Sequence, residues 1–195
     1  MKPYFDINHL AGALLLVAVM GWGAIEAAHL GNSRQEATKV GGAGRRFAAW
    51  PFLLAASAVL YLAPRVVPAG AIRPGAVAFG IGLVILVAGL VLRGWSIETL
   101  GAYFTAAVAV SADQPVVSAG PYRVLRHPSY AGLLLIMTGI GLASANWAGL
   151  AGMTVLPLAG ILWRMHAEER ALLTTLGDPY RAYAAQHKRL VPLVW

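Results

Sequence analysis

Residues 126–169 read RHPSYAGLLLIMTGIGLASANWAGLAGMTVLPLAGILWRMHAEE. Two apolar runs, 130–144 and 147–163, are separated only by Ala145-Asn146, and polar side chains flank the pair at both outer ends. A membrane helix needs about 20 residues to cross a ~30 Å hydrocarbon core, so these shorter runs predict a tight helical hairpin, with local thinning of the bilayer. The outer ends of a hairpin face the same side of the membrane. We therefore expect the polar groups at 126–130 and 166–170 to lie side by side.

Composition places the whole chain in the membrane class. Of its 195 residues, 58% are hydrophobic and only 12% are charged, which is too little charged surface for a soluble domain of this size. Three more apolar segments, at 9–28, 47–62 and 75–92, bring the prediction to about five transmembrane helices in an all-α integral membrane protein. Glycines recur in the spans and are expected to let helices pack closely in lipid.

The sequence excludes several other kinds of segment and site. No clear cleavage site follows the first apolar segment, and only one basic residue precedes it, so we interpret it as a retained span rather than a signal peptide. Cysteine is absent, which removes a thiol nucleophile and a thiolate metal site. No zinc-ligand spacing and no nucleic-acid-binding motif are present. We predict one membrane domain over 1–195, with three spans in 1–92 and a cofactor-binding half in 93–195.

The basic residues predict the orientation. Twelve of the fifteen Lys and Arg residues fall in the 31–46 loop, the 93–129 segment and the tail after residue 163, whereas Lys2, Arg65 and Arg73 fall on the other side. The positive-inside rule then puts the N-terminus outside and the C-terminus in the cytoplasm. Both polar clusters of the hairpin would face a cytoplasmic pocket.

Two connecting segments have patterns of their own. Residues 93–103 have helical character, after which the period changes and predicts a short β-hairpin or extended strap over the cytoplasmic mouth. The last apolar helix is expected to continue to Leu176 and to end at Gly177. Asp178-Pro179 would then begin another helix, with Asp178 as its N-cap.

The start of the hairpin carries a cation, an imidazole and a phenol. Pro128 is expected to open the helix, leaving the free N–H groups of its first turn at the cytoplasmic mouth, where they suit a carboxylate. Arg126 can grip a carboxylate with two parallel hydrogen bonds, or it can anchor the helix at lipid headgroups. His127 is open to three roles, as a hydrogen-bonding group, a base or a structural cap. Tyr122 and Tyr130 fit either the site or an interfacial belt.

Two adjacent carboxylates, Glu168 and Glu169, stand at the other end of the hairpin. Arg164 and Glu168 have the spacing of an i,i+4 ion pair. Neighbouring side chains on a helix point about 100° apart, so one carboxylate is left to face the mouth, where it would suit a cationic group such as an ammonium. Glu26 and His29 can line the same mouth or cap the first helix.

Together these residues resemble the isoprenylcysteine carboxyl methyltransferase family of integral membrane enzymes. The matching positions span roughly 93–192: Leu100-Gly101, Tyr103-Phe104-Thr105, Val117, Gly120-Pro121-Tyr122, Arg126-His127-Pro128-Ser129-Tyr130, Gly132, Glu168-Glu169, Leu172, Gly177, Tyr180, Tyr183, Arg189 and Pro192. Ala102 departs from the pattern, because related sequences often carry a basic residue there. The Arg-His-Pro-x-Tyr portion alone is shared with phospholipid N-methyltransferases and membrane sterol reductases.

The resemblance implies an S-adenosylmethionine-dependent methyltransferase with a cytoplasmic cofactor pocket. It implies catalytic roles for Arg126, Glu168 and Glu169. The implied cofactor-binding residues are Val117, Gly120, Tyr122, His127, Pro128, Tyr130, Gly132, Glu168 and Glu169. The expected reaction is O-methylation of a carboxyl group on an isoprenylcysteine-like substrate that enters from the bilayer. N-methylation of a phospholipid or amine, reduction with NADPH, and a purely structural membrane protein are the alternatives.

Overall fold

The computed structural model describes residues 2–39, 50–104, 110 and 114–191. Seven α-helices follow one another in these ranges: α1 (Tyr4–Ile7), α2 (His9–Lys39), α3 (Trp50–Val66), α4 (Gly75–Leu100), α5 (Pro128–Ala143), α6 (Trp147–Leu176) and α7 (Asp178–Gln186). Over the same ranges, β pairing is limited to two isolated bridges. The prediction of an all-α protein is confirmed.

Two stretches of the described chain are long and apolar enough to cross a membrane: α4 with the turn that follows it, Gly75–Tyr103, and α6. Shorter apolar stretches occupy His9–Ala24, Phe52–Val66 and Pro128–Ala143. Large apolar side chains stand on helix surfaces, where Leu10, Val66, Val84 and Trp163 are 61% to 72% exposed. Such surfaces suit lipid tails. The number of spans, about five, stays a prediction.

The chain divides into two compact units. The first comprises Met1–Gly23, Ala49–Val91 and Gly132–Gly160. The second comprises Ala24–Ala48, Leu92–Ala131 and Ile161–Trp195. The expectation of one membrane domain over 1–195 stays a prediction.

Glycines bring α4 and α5 into close contact in the first unit. A Cβ atom added to Gly82 would lie 2.7 Å from the Gly139 oxygen and from the Ala143 nitrogen. A Cβ atom added to Gly89 would lie equally close to the Gly132 oxygen. Close approach of backbones allows dispersion contacts in lipid, where no hydrophobic effect drives helices together. The prediction that glycines in the spans serve packing is confirmed at these positions.

We expect Gly82→Ala to lower the free energy of unfolding by about 1–3 kcal/mol, because the added methyl group overpacks a backbone contact. Gly80→Ala is the matched control in the same helix, since a Cβ there meets nothing within 4 Å. Unfolding of the purified protein in mixed micelles, followed by circular dichroism, measures both. Equal stability of the two variants would contradict the packing role.

The turn between α5 and α6 confirms the predicted tight hairpin. Ala145 has φ +53°, a left-handed conformation that reverses the chain within two residues. Asn146 Oδ1 then accepts hydrogen bonds from the backbone nitrogens of Ala148 (2.9 Å) and Gly149 (3.2 Å). Asparagine thus caps α6. Its Nδ2 also donates to the Val67 oxygen at 3.0 Å, which ties the turn to the residue after α3.

The helix boundaries agree with the sequence at most points. Pro128 is the first residue of α5 and Leu176 the last of α6, as predicted, and Gly177 has φ +61°. The assignment of Asp178 as N-cap was wrong. Gly177 holds that position without a side-chain bond, and Asp178 is instead the first helical residue, its carboxylate paired with Arg181.

The strap region is only partly described. Residues 93–103 are helical, as predicted, with α4 reaching Leu100 and a single turn over Gly101–Tyr103. The predicted hairpin involves 105–109 and 111–113, which lie outside the described residues. Residues 114–117 follow without regular secondary structure.

Candidate active site

Glu169 is the centre of a charged cluster in the second unit. Its Oε1 atom lies 2.8 Å from Arg126 Nη1 and 3.2 Å from His127 Nε2. Its Oε2 atom accepts hydrogen bonds from Arg189 at 3.0 and 3.1 Å. The Glu169 side chain is only 8% exposed, so its negative charge is balanced by these neighbouring groups and is little solvated by water. The expected meeting of the two ends of the hairpin is found here.

Glu168 has different partners. The Tyr130 hydroxyl donates a hydrogen bond to Glu168 and accepts one from Arg164 Nε at 2.7 Å. Arg164 and Glu168, expected as an i,i+4 pair, thus share one phenol. His166 and Arg170 are exposed and do not join the cluster. The adjacent carboxylates of α6 therefore hold two separate networks, as their angular separation requires.

The C-terminal tail builds one wall of this cluster. Arg126 N donates to the Lys188 oxygen at 2.7 Å, and His127 N donates to the Arg189 oxygen at 3.1 Å. Leu125 and Lys188 form a parallel bridge. This backbone pairing delivers the Arg189 guanidinium to Glu169. The sequence gives no sign of this contact, because a single short pairing between distant segments has no periodic signal.

Tyr183 of α7 fastens the segment before α5. Its hydroxyl donates to the oxygens of Tyr122 (2.8 Å) and Leu125 (3.3 Å). Burial raises the pKa of the Tyr183 phenol to about 12, so the hydroxyl keeps its proton and remains a donor at neutral pH. Burial also raises the pKa of Tyr122 well above its usual value. Tyr122 is buried, which is not the exposure of an interfacial belt residue.

Two buried polar atoms of the described cluster have no hydrogen-bond partner: Arg126 Nε and the Tyr180 hydroxyl. Burial, and after it the charge of Glu169, raises the pKa of Tyr180, so this hydroxyl is neutral and able to donate. An unsatisfied buried donor costs about 1–3 kcal/mol. Such atoms call for a partner, and a ligand with acceptor oxygens would provide one.

Tyr183→Phe and Tyr180→Phe should differ in their effect on folding. We expect Tyr183→Phe to lower the free energy of unfolding by about 1–2 kcal/mol, since two backbone oxygens lose their donor. Tyr180→Phe should leave it unchanged or raise it slightly, because that hydroxyl has no partner to lose. Unfolding of both variants in mixed micelles measures the difference. A larger loss for Tyr180→Phe would contradict this arrangement.

The other predicted site residues are placed as follows. Gly120 has φ +52°, and a Cβ there would lie 2.8 Å from Thr99 Oγ1, so glycine is required twice over. Pro128 is fully buried and Val117 half-buried. Gly132 packs its oxygen against Gly89 in the first unit. The cofactor roles of these residues stay predictions.

Glu26 neither caps α2 nor stands alone. It pairs with Arg93, while α2 continues to Lys39. Arg93 also donates to Ser129 in the first turn of α5. In the sequence, Arg93 stands out only as a positive charge at the end of an apolar segment. Its burial could be suspected from that apolar context, but its partners could not.

The comparison with protein families bears on this part of the chain. The profile described as the isoprenylcysteine carboxyl methyltransferase (ICMT) family matches residues 81–174. That range contains Arg93, the segment from Arg126 to Tyr130 and both carboxylates of α6. Residues 81–174 belong to the isoprenylcysteine carboxyl methyltransferase family. The resemblance inferred from the motifs is confirmed.

Curated relatives support the same family. Protein-S-isoprenylcysteine O-methyltransferase B of Arabidopsis thaliana is 30% identical over 120 residues, covering 58% of this chain and 58% of the relative. The Tribolium castaneum Protein-S-isoprenylcysteine O-methyltransferase is 31% identical over 116 residues, covering 58% of this chain and 41% of the relative. The uncharacterised protein YpbQ of Bacillus subtilis is 30% identical over 100 residues, covering 51% and 59%. The chain aligns with roughly half the length of these relatives.

A solved structure shares the fold. The eukaryotic intramembrane Ras methyltransferase ICMT superposes with a TM-score of 0.64 over 93% of this chain and 68% of the other. Sequence identity in that comparison is 21%. The shared helical fold therefore extends beyond residues 81–174 to most of this chain.

Proposed function

We propose that this protein is an S-adenosylmethionine-dependent methyltransferase that esterifies the carboxyl group of a lipophilic, isoprenylcysteine-like acceptor. One observation carries the proposal. The cationic start of α5 and the acidic stretch of α6 meet through Arg126, His127 and Glu169, within the region that the family profile matches. Charged groups at a membrane edge are costly and mark working sites.

The donor set fits the cofactor and the acceptor. Both molecules carry a carboxylate, which accepts hydrogen bonds only. Arg126 Nε and the Tyr180 hydroxyl are buried donors without partners, so they suit a carboxylate. The cofactor also carries an ammonium group. Glu168 suits it better than Glu169, because the oxygens of Glu169 already contact three cationic or imidazole groups.

Each residue has a separate role in the proposed methyl transfer. Bound S-adenosylmethionine supplies an electrophilic methyl group on a sulfonium. Arg126 holds the acceptor carboxylate, which is already an anion at neutral pH and needs no general base. Glu169 positions Arg126 and His127, and Glu168 receives the ammonium. Tyr130 and His127 wall the adenosyl site, with their rings stacked at 5.6 Å between centroids. Alignment of reacting groups in this way is worth about 7–11 kcal/mol in favourable cases.

The membrane arrangement is part of the proposal. About five spans would hold the site at the cytoplasmic face, with the N-terminus outside and the C-terminus inside, following the distribution of basic residues. The cofactor would enter from the cytoplasm. The lipophilic acceptor would enter from the bilayer between helices.

An amine acceptor is less well supported. An amine must lose a proton before it can attack, and His127 would be the candidate base. However, His127 is 5% exposed, and its Nε2 lies 3.2 Å from Glu169 Oε1. A carboxylate only accepts hydrogen bonds, so Nε2 donates to Glu169 and only Nδ1 of this buried ring is left to accept a proton.

The test is methyl transfer by the purified protein in nanodiscs. We expect incorporation of labelled methyl from S-adenosylmethionine into a farnesylated cysteine with a free carboxyl group, at a rate nearly constant between about pH 6 and pH 8. Two controls are matched to this substrate. One is the carboxamide of the same farnesylated cysteine, and the other is vesicles of phosphatidylethanolamine. Calorimetric titration should detect saturable binding of S-adenosylmethionine and none of NADPH.

The alternatives give distinct outcomes. Labelling of phosphatidylethanolamine alone would replace the carboxylate acceptor by an amine. Binding of NADPH alone would favour a reductase. Absence of saturable binding by either cofactor would overturn an enzymatic role of this type.

A further inference from the structure

Arg93 is a buried cation in the second unit. Its Nη2 atom lies 2.9 Å from Glu26 Oε2, and its Nε donates to the other carboxylate oxygen. Its Nη1 donates to both the backbone oxygen and the hydroxyl of Ser129, each at 3.0 Å. The Arg93 side chain is 9% exposed and that of Glu26 21%. One guanidinium thus joins α2, α4 and the first turn of α5.

A buried ion pair is not needed simply to hold two helices together. Taking an ion pair out of water carries a desolvation penalty that often equals the Coulombic gain, so apolar packing would hold α2 and α4 as well. The contact to Ser129 is what apolar side chains could not provide. Ser129 lies between Pro128, which opens α5, and Tyr130, which bonds Glu168. The Arg93 guanidinium therefore binds the helical turn that holds Tyr130 of the candidate site.

We infer that the Glu26–Arg93 pair is a positioning device for the proposed methyltransferase site, which fixes the first turn of α5 so that His127 and Tyr130 face their glutamates. The inference rests on the proposed function for its catalytic consequence. Arg93 acts here through Ser129 and does not itself touch the acceptor. The Glu26 carboxylate holds the guanidinium fork in the one orientation that reaches Ser129, as bidentate geometry requires.

A charge swap tests the device. In Glu26→Arg/Arg93→Glu the ion pair between α2 and α4 is retained, but a carboxylate at 93 cannot donate to the Ser129 oxygen. We expect the swapped protein to unfold at a temperature close to that of the wild type, with kcat lowered on the order of 10-fold to 100-fold by misplacement of the reacting groups. The KM for the cofactor should change less than kcat.

The matched control is the same swap at an ion pair away from the site. Arg65 Nη2 lies 3.3 Å from Asp6 Oδ2 in the first unit, and Asp6→Arg/Arg65→Asp should leave kcat unchanged. Wild-type kcat in the Glu26/Arg93 swap would overturn the inference, since the pair would then serve only as a clamp between α2 and α4.

Hydrogen exchange gives a readout that does not depend on turnover. Amides of Tyr130 and Ala131 bond to the His127 oxygen in the first turn of α5, each at 3.1 Å. In Arg93→Lys, which keeps the charge and loses the fork, the peptide covering 126–133 should exchange faster than in the wild type. A peptide from 147–160 should not change. Unchanged exchange at 126–133 would overturn the positioning role, whether or not the swapped protein folds.

The two proposals fail separately. A wild-type protein that transfers no methyl group to the farnesylated cysteine contradicts the proposed function, while faster exchange in Arg93→Lys would still support positioning of the turn. Active wild-type protein with unchanged exchange in Arg93→Lys would support the function and remove the positioning role.

Discussion

Arg126→Ala is expected to lower the rate constant for methyl transfer by about 100-fold to 1,000-fold, the loss typical of a preorganised donor in a water-excluded site. Affinity for S-adenosylmethionine should fall by a much smaller factor. The physical reason is that Arg126 combines a salt bridge to Glu169 with a buried Nε that has no partner. That free donor is the one assigned to the acceptor carboxylate. Single-turnover kinetics and calorimetry on the same preparation separate the two effects.

Two variants bracket this result. Arg123→Ala removes an exposed arginine three residues earlier, and its activity should equal that of the wild type. Arg126→Lys keeps a charge and loses the planar fork, so its activity should be intermediate. An equal loss of turnover and of cofactor affinity in Arg126→Ala would contradict the assignment, because Arg126 would then bind the cofactor rather than the acceptor.

Glu169→Ala is expected to lower the free energy of unfolding by about 3–5 kcal/mol, the usual cost of removing one partner of a buried ion pair. The substitution removes the carboxylate that pairs with both Arg126 and Arg189. His127 also loses the acceptor of its Nε2 hydrogen. Denaturant unfolding in mixed micelles measures the change. Activity should be lost as well, since Arg126 would no longer be held in place.

Glu168→Ala is the matched control on the neighbouring residue. It removes one hydrogen bond from the Tyr130 hydroxyl, which still accepts a bond from Arg164. We expect a smaller loss of stability and a larger loss of cofactor affinity than in Glu169→Ala. The reverse order, with Glu168→Ala the less stable protein and Glu169→Ala the weaker binder of cofactor, would exchange the two roles.

Local patterns were sufficient for the helices and for several boundaries. Proline at Pro128 and glycine at Gly177 mark helix ends because one lacks an N–H group and the other tolerates a positive φ. Asp178 shows the limit of such rules, since its carboxylate pairs with the Arg181 side chain instead of capping a backbone N–H group. The length of α2 was underestimated, because polar turns continue that helix to Lys39 after its apolar run has ended.

The candidate site, like the helices, could be predicted only in part from the sequence. That Arg126, His127 and Tyr130 would meet Glu168 and Glu169 follows from hairpin geometry. Which carboxylate takes which partner depends on the rotation of α6 and on the tail. Arg189 reaches Glu169 through a backbone pairing of 125–127 with 188–189, and such a pairing leaves no mark in composition or period.

The sequence by itself determined a membrane-class helical chain, the hairpin and the set of residue types at its polar ends, because hydrophobicity and backbone stereochemistry act over neighbouring residues. The tertiary structure alone decided the partners: Glu169 with Arg126, His127 and Arg189, Glu168 with Tyr130, and Glu26 with Arg93 and through it Ser129. Charged side chains have several possible partners of opposite sign. Only the packing of helices distant in the chain selects among them, since burial makes an unpaired charge costly.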